Sequence, residues 1–360
     1  MKINGQNMRT IWTNDNSQNV NIINQILLPH AFAVEAIDNL ETMVTAIKTM
    51  QVRGAPLIGV AAAFGMALAM QKDATDAHLR HAANLLIASR PTAVNLTWAV
   101  SRMIACLQGM PLNKRALQAW YEAARMAEED VAQNQKIGEH GLNLIKNIYK
   151  NRANPNKPLN IMTHCNAGWL ATVDYGTALA PVYAAHDAGL NIHVWVSETR
   201  PRNQGAALTA WELAQHGVPH TVITDNAGGH LMQQGLVELV IVGADRVTSK
   251  GDVCNKIGTY LKALAAYDNG IPFYAAVPTP TIDWSITDPT QIEIEHRHGD
   301  ELAVMQGLDA AGKVQNVRIL HADAKVLNPA FDVTPAKLVT GIITEQGVYT
   351  PNQLRHLYKT

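Results

Sequence analysis

Residues 159–174 read LNIMTHCNAGWLATVD, and this stretch decides how the chain is organised. Leu159, Ile161 and Met162 make an apolar run that stops at Thr163-His164-Cys165-Asn166-Ala167-Gly168; a second apolar segment opens at Trp169. Apolar run, polar Gly-containing turn and second apolar run read as buried strand, tight turn and helix. In open α/β sheets, ligands lie beyond the carboxyl ends of the strands. Cys165 falls at such an end, with His164 and Asn166 beside it. A lone cysteine is more often buried and inert. The segments that follow weigh against that bland reading, because they end in the same manner.

Strand-like runs recur at 159–162, 192–196, 221–223, 239–242, 273–277 and 339–343. Helical segments lie between most of them, at 169–187, 205–216, 228–234 and 257–268. This alternation indicates right-handed βαβ crossovers and a parallel sheet. No G-x-G-x-x-G follows any of the runs, so a dinucleotide is not indicated. Upstream, 151–158 (NRANPNKP) reads as a linker. Before it the chain is mostly helical, at 33–49, 56–70, 78–89, 93–107 and 114–149, the last kinked or split near Gly138 or Gly141. Ile11-Trp12 and Val20–Ile23 read as short strands around an Asn-rich turn at 13–19. The expected architecture is α/β. Residues 151–360 form a Rossmann-like, doubly wound parallel sheet with the catalytic groups. Residues 1–150 form a mainly helical domain preceded by a small β element.

The chain has 360 residues, 47% hydrophobic and 16% charged, which suits two domains with buried cores. A net charge of -1 without a basic block argues against nucleic-acid binding. A small phosphorylated ligand needs only one or two cations and stays open. Three scattered cysteines, Cys106, Cys165 and Cys254, with no C-x-x-C spacing, fit neither a disulfide framework nor a zinc site. They suit a reducing cytoplasm. The beginning MKINGQNMRT lacks an apolar signal core, and the apolar run 57–70 reads as too short and too rich in Ala and Gly to span a membrane.

The strand ends carry polar residues in succession. After 192–196 come Ser197-Glu198-Thr199-Arg200 and Arg202-Asn203-Gln204; after 221–223 comes Asp225; after 239–242 come Gly243-Ala244-Asp245-Arg246 and, further on, Asn255-Lys256. In a parallel sheet these project from one edge. A cleft there gathers a thiol, carboxylates, Arg and Lys, an acid/base site able to hold an anion. Each residue also has a plain alternative. Asp245 equally suits a helix cap or turn. Arg200 and Arg202 suit a solvated loop. Arg53-Gly54-Ala55-Pro56 suits a simple helix start, yet an Arg beside a helix N-terminus is also a phosphate seat. Arg90 before Pro91 resembles another such entry, and Asn255-Lys256 reads as the start of a helix. The histidines give no metal site: Gly217 and Pro219 break the helix that His216 and His220 would need, and these two and His230 read as surface or packing residues.

Seven motifs, in order along nearly the whole chain, carry a resemblance. They are RGAPLIGVAAAFGMAL (53–68), RPTAVNLTWAV (90–100), THCNAGWLATVDYGTAL (163–179), ETRPRNQGAALTAWEL (198–213), VIVGADRV (240–247), NKIGTY (255–260) and NPAFDVTPAKLVTGIITEQG (328–347). The sequence resembles the methylthioribose-1-phosphate isomerases. Their superfamily also holds ribose-1,5-bisphosphate isomerases and regulatory subunits of the eukaryotic initiation-factor exchange complex. The resemblance implies an aldose–ketose isomerase turning 5-methylthioribose 1-phosphate into 5-methylthioribulose 1-phosphate in methionine salvage. It implies Cys165 and Asp245 as catalytic residues, Asp245 being the proton donor. It implies substrate binding by Arg53, Gly54, Ala55, Arg90, Gln204, Asn255 and Lys256. It implies a homodimer acting on a small sugar phosphate without metal or cofactor, nucleic acid or membrane.

The alternatives are an isomerase of 5-deoxyribose 1-phosphate or ribose 1,5-bisphosphate, or a non-catalytic regulatory subunit. The regulatory relatives lack the Cys/Asp pair present here. An acid working near neutral pH is helped by an apolar cleft, and Trp169 and Val242 are apolar neighbours in sequence. Against the family pattern, Ser197 stands where Asp is usual, Asn203 where a larger apolar residue is usual, and Glu295-His296-Arg297 where two glutamates precede the arginine. These departures put the preferred 5-substituent in question.

Overall fold

The computed structural model of the chain describes every residue except 15–18, 91, 153 and 360. It opens with the short pair β1 (Lys2–Ile3) and β2 (Gln6–Asn7). A three-stranded antiparallel sheet follows: β3 (Ile11–Thr13), β4 (Val20–Ile23) and β5 (Val34–Ile37). Segment 33–49 is therefore not one helix. Its first part is β5 and its second is α1 (Leu40–Lys48). The break falls at Asn39, whose side chain accepts from Thr42 N–H and caps the helix. The turn expected at 13–19 lies mostly outside the described residues.

Then come α2 (Ala55–Lys72), α3 (Asp76–Ser89), α4 (Val94–Leu107) and α5 (Leu112–Asn151). Helix α2 is the axis of this layer, buried on all sides against α1, α3, α4 and α5. The helix extends the apolar run 57–70 to 18 residues with a mean hydropathy of 1.3, a length and composition that a membrane span shares with a core helix, and 89% of it is buried inside the protein. Here its side chains are enclosed by protein. Small residues let the neighbours come close: Gly59 faces Asn95, and Gly65 faces Leu86 and Met43. Helix α5 runs unbroken for 40 residues, against the kink or split expected near Gly138 or Gly141. Those glycines serve a crossing instead. They face Ala180 and Pro181 at the start of α6 (Ala180–Asp187), and a Cβ on Gly141 would stand 2.2 Å from Pro181 Cγ.

Beyond α5 the strands are β6 (Leu159–His164), β7 (Ile192–Ser197), β8 (His220–Ile223), β9 (Leu239–Val242), β10 (Arg246–Thr248), β11 (Val253–Lys256) and β12 (Phe273–Ala276). They continue with β13 (Ile282–Asp283), β14 (Val304–Leu308), β15 (Val314–Arg318), β16 (Phe331–Thr334), β17 (Gly341–Thr344) and β18 (Gly347–Tyr349). The main sheet has the order β18-β17-β12-β9-β6-β7-β8, parallel except for β18. Its faces are covered separately. Ile161, Val194 and Ile241 pack with Ile137 and Ile145 of α5, Val182 of α6 and Leu213 of α7 (Ala210–His216). Met162, Val240 and Val242 pack with Met232 of α8 (Ala227–Gln233) and Ala263 and Ala266 of α9 (Thr259–Asp268). Neighbours in a strand point to opposite faces, so strands buried on both faces read as the unbroken apolar runs seen in the sequence.

Three readings are corrected here. Segment 169–187 is a single 3-10 turn at Trp169–Ala171, a loop, and α6; Tyr175 and Gly176 at φ 67° and 81° prevent a continuous helix. Asn255-Lys256 does not begin a helix but ends β11, in a second sheet of order β13-β10-β11-β16. Arg90 ends α3, and α4 begins only at Val94, so the motif is not an Arg before a Pro-started helix; Pro91 itself lies outside the described residues. A strap from 284 to 330 leaves this second sheet and carries α10 (Asp300–Ala303) and the β14–β15 hairpin.

Candidate functional site

The main sheet reverses its direction of growth at β6. Strands β7 and β8 lie on one side, and β9, β12 and β17 on the other. The carboxyl ends of β6 and β9 therefore flank a switch point, the place where open α/β sheets hold ligands. Cys165 leaves β6 and Asp245 leaves β9 at that edge. The Cys165 backbone is fixed on both sides: its N–H donates to Thr199 Oγ1 at 2.8 Å, and its carbonyl accepts from Thr209 Oγ1 at 2.7 Å. With φ at 64°, Cys165 takes the left-handed conformation uncommon outside glycine. Asp245 N–H donates to Cys254 O at 2.9 Å, so β10 and β11 fold back and return Asn255-Lys256 to the same edge.

One cleft, holding about 560 Å³ up to its open mouth, brings together every site residue expected from the sequence. Cys165 and Asp245 line it from the main sheet, Asn255 and Lys256 from β11, and Gln204 from the loop after β7. Arg53, Gly54 and Ala55 enter at the start of α2, and Arg90 from the end of α3. Gly54 stands at φ 99°, where a side chain is strained, and an added Cβ would lie 2.5 Å from Ala171 O. Glycine thus lets the helix N-terminus open directly into the cleft, where its free N–H groups and dipole favour an anion.

Arg53 is buried and clamped. Its Nη1 donates to Asn166 Oδ1, and its Nη2 donates to Asn166 O at 2.7 Å. The Asn166 amide in turn donates to Glu212, whose carboxyl burial raises to about 8. Gly168 makes the approach possible, since a Cβ there would overlap Glu212. Two residues of the THCNAG turn, Asn166 and Gly168, are thereby explained by packing and hydrogen bonding around Arg53. His164 is scaffold: its Nε2 donates to Ile257 O at 2.8 Å, and burial followed by Lys262 lowers its pKa to about 3.

The electrostatics favour an anionic ligand. Lys256 is buried, its ammonium 4.6 Å from the centre of the Phe331 ring, with no salt bridge or hydrogen bond among the described residues. Burial, then Arg297, lowers its pKa to about 8. Arg53 and Arg90 are lowered too, by burial first. Burial pushes the Cys165 thiol up, although Arg53 and Lys256 pull it down. Among the described residues, no group of three His, Cys, Asp or Glu side chains stands ready to hold a metal ion.

Sequence reasoning did not single out Arg297, Phe331 or Met50, which also line the cleft. Arg297 and Phe331 belong to the strap and to β16, where no periodicity marks them; the clustered charges of Glu295-His296-Arg297 were the available signal. Trp169 and Val242 pack in the cores and do not line the cleft. Ser197 donates to Asp225 at 2.6 Å, where a second carboxylate would meet a like charge. Asn203 lies at φ 56°, a conformation that Asn tolerates well. His216 packs against Tyr183 and pairs with Asp187 at 2.8 Å, and His230 is exposed.

The chain is 57% identical over 353 residues to the methylthioribose-1-phosphate isomerase of Methylocella silvestris, spanning 98% of this chain and 96% of that one. It is similar to the solved structure of 5-methylthioribose 1-phosphate isomerase from Pyrococcus horikoshii, with a TM-score of 0.82, 41% identity and coverage of 98% and 96%. It is also similar to the translation initiation factor eIF-2B, subunit delta, from A. fulgidus, with a TM-score of 0.78, 39% identity and coverage of 97% and 100%. Residues 51–351, which hold every cleft residue named above except Met50, match the Initiation factor 2 subunit family, and the chain belongs to that family.

Proposed function

We propose that this chain is an aldose–ketose isomerase that converts 5-methylthioribose 1-phosphate to 5-methylthioribulose 1-phosphate, the activity named for its 57% identical relative. The observation that carries the reading is the gathering, in one cleft at the switch point, of Cys165 and Asp245 with three cations, the buried Arg53 and Lys256 and the half-buried Arg90. The phosphate belongs at that cluster and at the α2 N-terminus, within reach of Gly54 and Ala55, with Gln204 and Asn255 for sugar hydroxyls.

The substrate is a furanose whose anomeric oxygen carries phosphate, so it does not open as a free sugar does. Asp245 gives a proton to the ring oxygen, and the C1–O bond to the ring breaks. Hydrogen then passes from C2 to C1 while the C2 hydroxyl gives up its proton and becomes the ketone. In the hydride route, hydrogen moves with its electron pair and the Asp245 carboxylate takes the hydroxyl proton. In the proton route, Cys165 removes the C2 proton and returns it to C1 through an enediol. Burial keeps Cys165 a thiol, which is a donor rather than a base, and this favours the hydride route. Turnover in D2O separates the two: deuterium at C1 of the product indicates the proton route.

Asp245→Asn is expected to abolish turnover in a protein that melts as the parent does; full activity removes Asp245 from the mechanism. The 5-substituent is tested by kcat/KM on 5-methylthioribose and 5-deoxyribose 1-phosphates side by side. Preference for the thio sugar supports the reading above. Equal or better use of the deoxy sugar supports a broader salvage role, and turnover of neither favours a regulatory subunit. We place the enzyme in the cytoplasm, in keeping with three free cysteines, and as a homodimer. Leu117 and Tyr121, one turn apart on α5, are exposed and suit a partner surface. Light scattering at the monomer mass counts against the dimer.

A further inference from the structure

We propose that Arg297, carried by the strap, is a phosphate-binding residue of this site, and that Glu295 positions Arg297 and Arg90 together at the phosphate end of the substrate. This rests on the reading of the ligand as a sugar phosphate. Arg297 lines the cleft with its side chain 8% exposed. Its Nε donates to Glu295 Oε1 at 3.0 Å, while Glu295 Oε2 lies 3.7 Å from Arg90 Nη2. One carboxylate thus spans two guanidiniums that arrive from distant parts of the chain. Arg297 and Arg90 draw the Glu295 carboxyl below the ordinary range against its own burial, so it stays charged.

The outer end of Arg297 is poorly satisfied by protein. Its Nη1 reaches only Met50 Sδ, at 3.3 Å, a weak acceptor. Glu301 stands 4.0 Å from Nη1 and pairs more closely with Arg202, at 2.9 Å. Nη2 makes no hydrogen bond among the described residues. Below it, the Phe331 ring centre lies 5.8 Å from the guanidinium carbon and 4.6 Å from the Lys256 ammonium. The ring attracts both cations without accepting their N–H groups in ordinary hydrogen bonds. Such a pair, a planar fork beside a point charge, matches the oxygens of a phosphate. Because Arg297 belongs to the strap and Lys256 to β11, the bound phosphate would tie these two parts together.

Titration calorimetry with inorganic phosphate tests the contact without turnover. Arg297→Met is expected to weaken phosphate binding about tenfold or more, the loss of a charged hydrogen bond. KM for the sugar 1-phosphate should rise similarly, with kcat changed far less. Arg297→Lys keeps the charge but loses the fork, and should fall between the two. Glu295→Gln should raise KM several-fold with kcat kept, because both guanidiniums lose their common anchor. Unchanged phosphate affinity and KM in both Arg297 variants overturn the proposal, and a lower melting temperature alongside marks Arg297 as structural only. Should Arg297→Met fail to fold, the Lys variant decides by the same criterion. If the parent isomerises neither sugar but loses phosphate on Arg297→Met, the isomerase reading fails and the assignment of Arg297 stands.

Discussion

At Cys165, burial and charge pull in opposite directions. The apolar surroundings push the thiol up, Arg53 and Lys256 pull it down, and burial is the stronger. The thiolate fraction at neutral pH is therefore small, and it grows only above the usual thiol range. Alkylation of Cys165 by iodoacetamide, followed by peptide mass spectrometry, should be slow at pH 7 and still climbing beyond about pH 9. A rate that levels off by about pH 8 contradicts this. At this scale the sequence set a thiol, an acid and a lysine beside an asparagine after the apolar runs, each with a plain alternative use, and the fold brings all of them to one cleft. Arg297 was not readable, because its role depends on a strap folding back across the cleft, and nothing local to Glu295-His296-Arg297 encodes that path. Lys256 lines the cleft from the end of β11 and not from the helix expected, since Asn-Lys before Ile-Gly-Thr-Tyr carries no strand signal of its own.

Elements meet at points where a glycine stands in for a side chain. At Gly141, α5 crosses α6 with Pro181 where a Cβ would be. Gly141→Ala should push the helices apart and cost about 1–3 kcal/mol, as overpacking does; a drop of several degrees in Tm checks it, and an unchanged Tm shows that the crossing has room for a methyl group. The same substitution at Gly54 acts on the site as well. Its φ of 99° and the 2.5 Å approach to Ala171 O leave no room for alanine, so Gly54→Ala should lower both Tm and phosphate affinity. The parallel strands were legible because apolar runs buried on both faces have few other readings. Segment 33–49 was misassigned for the opposite reason. Val34 and Ile37 satisfy a helical spacing, and only the Asn39 cap divides strand from helix. The second sheet was missed because its strands are two to four residues long, shorter than any period can mark.

For the whole molecule, the long helix α5 is the common wall. Its first half packs with α2 and α4, and its second half lends Ile137 and Ile145 to the core of the main sheet. We therefore propose the division into 1–150 and 151–360 as one of chain order, with α5 shared between the two cores. Expressed alone, 151–360 should expose the surface that α5 covers and bind a dye such as ANS; a well-folded, dye-free fragment contradicts this. Asp130, on the same helix, couples the halves. Its Oδ2 accepts from Val173 N–H at 2.7 Å, and burial raises its pKa to about 7. A carboxyl raised on folding contributes stability that is complete below its unfolded value and lost as pH rises to about 7. Asp130→Asn keeps an acceptor but cannot ionise. Its Tm should fall less than the parent's between about pH 5 and pH 8, and identical profiles sink the assignment.

The ammonium of Lys256, held beside Phe331 without a carboxylate, has a consequence for inheritance. Burying an unpaired charge costs stability that an apolar side chain of similar size would not. A descendant that no longer turned over sugar phosphates would be free to replace it. Lys256→Met should accordingly melt higher than the parent while losing phosphate affinity. The tips of the strands carry the chemistry and the layers beneath carry the shape. A lineage can thus shed the first, gain durability from the loss, and keep the second as a surface for other proteins to grip.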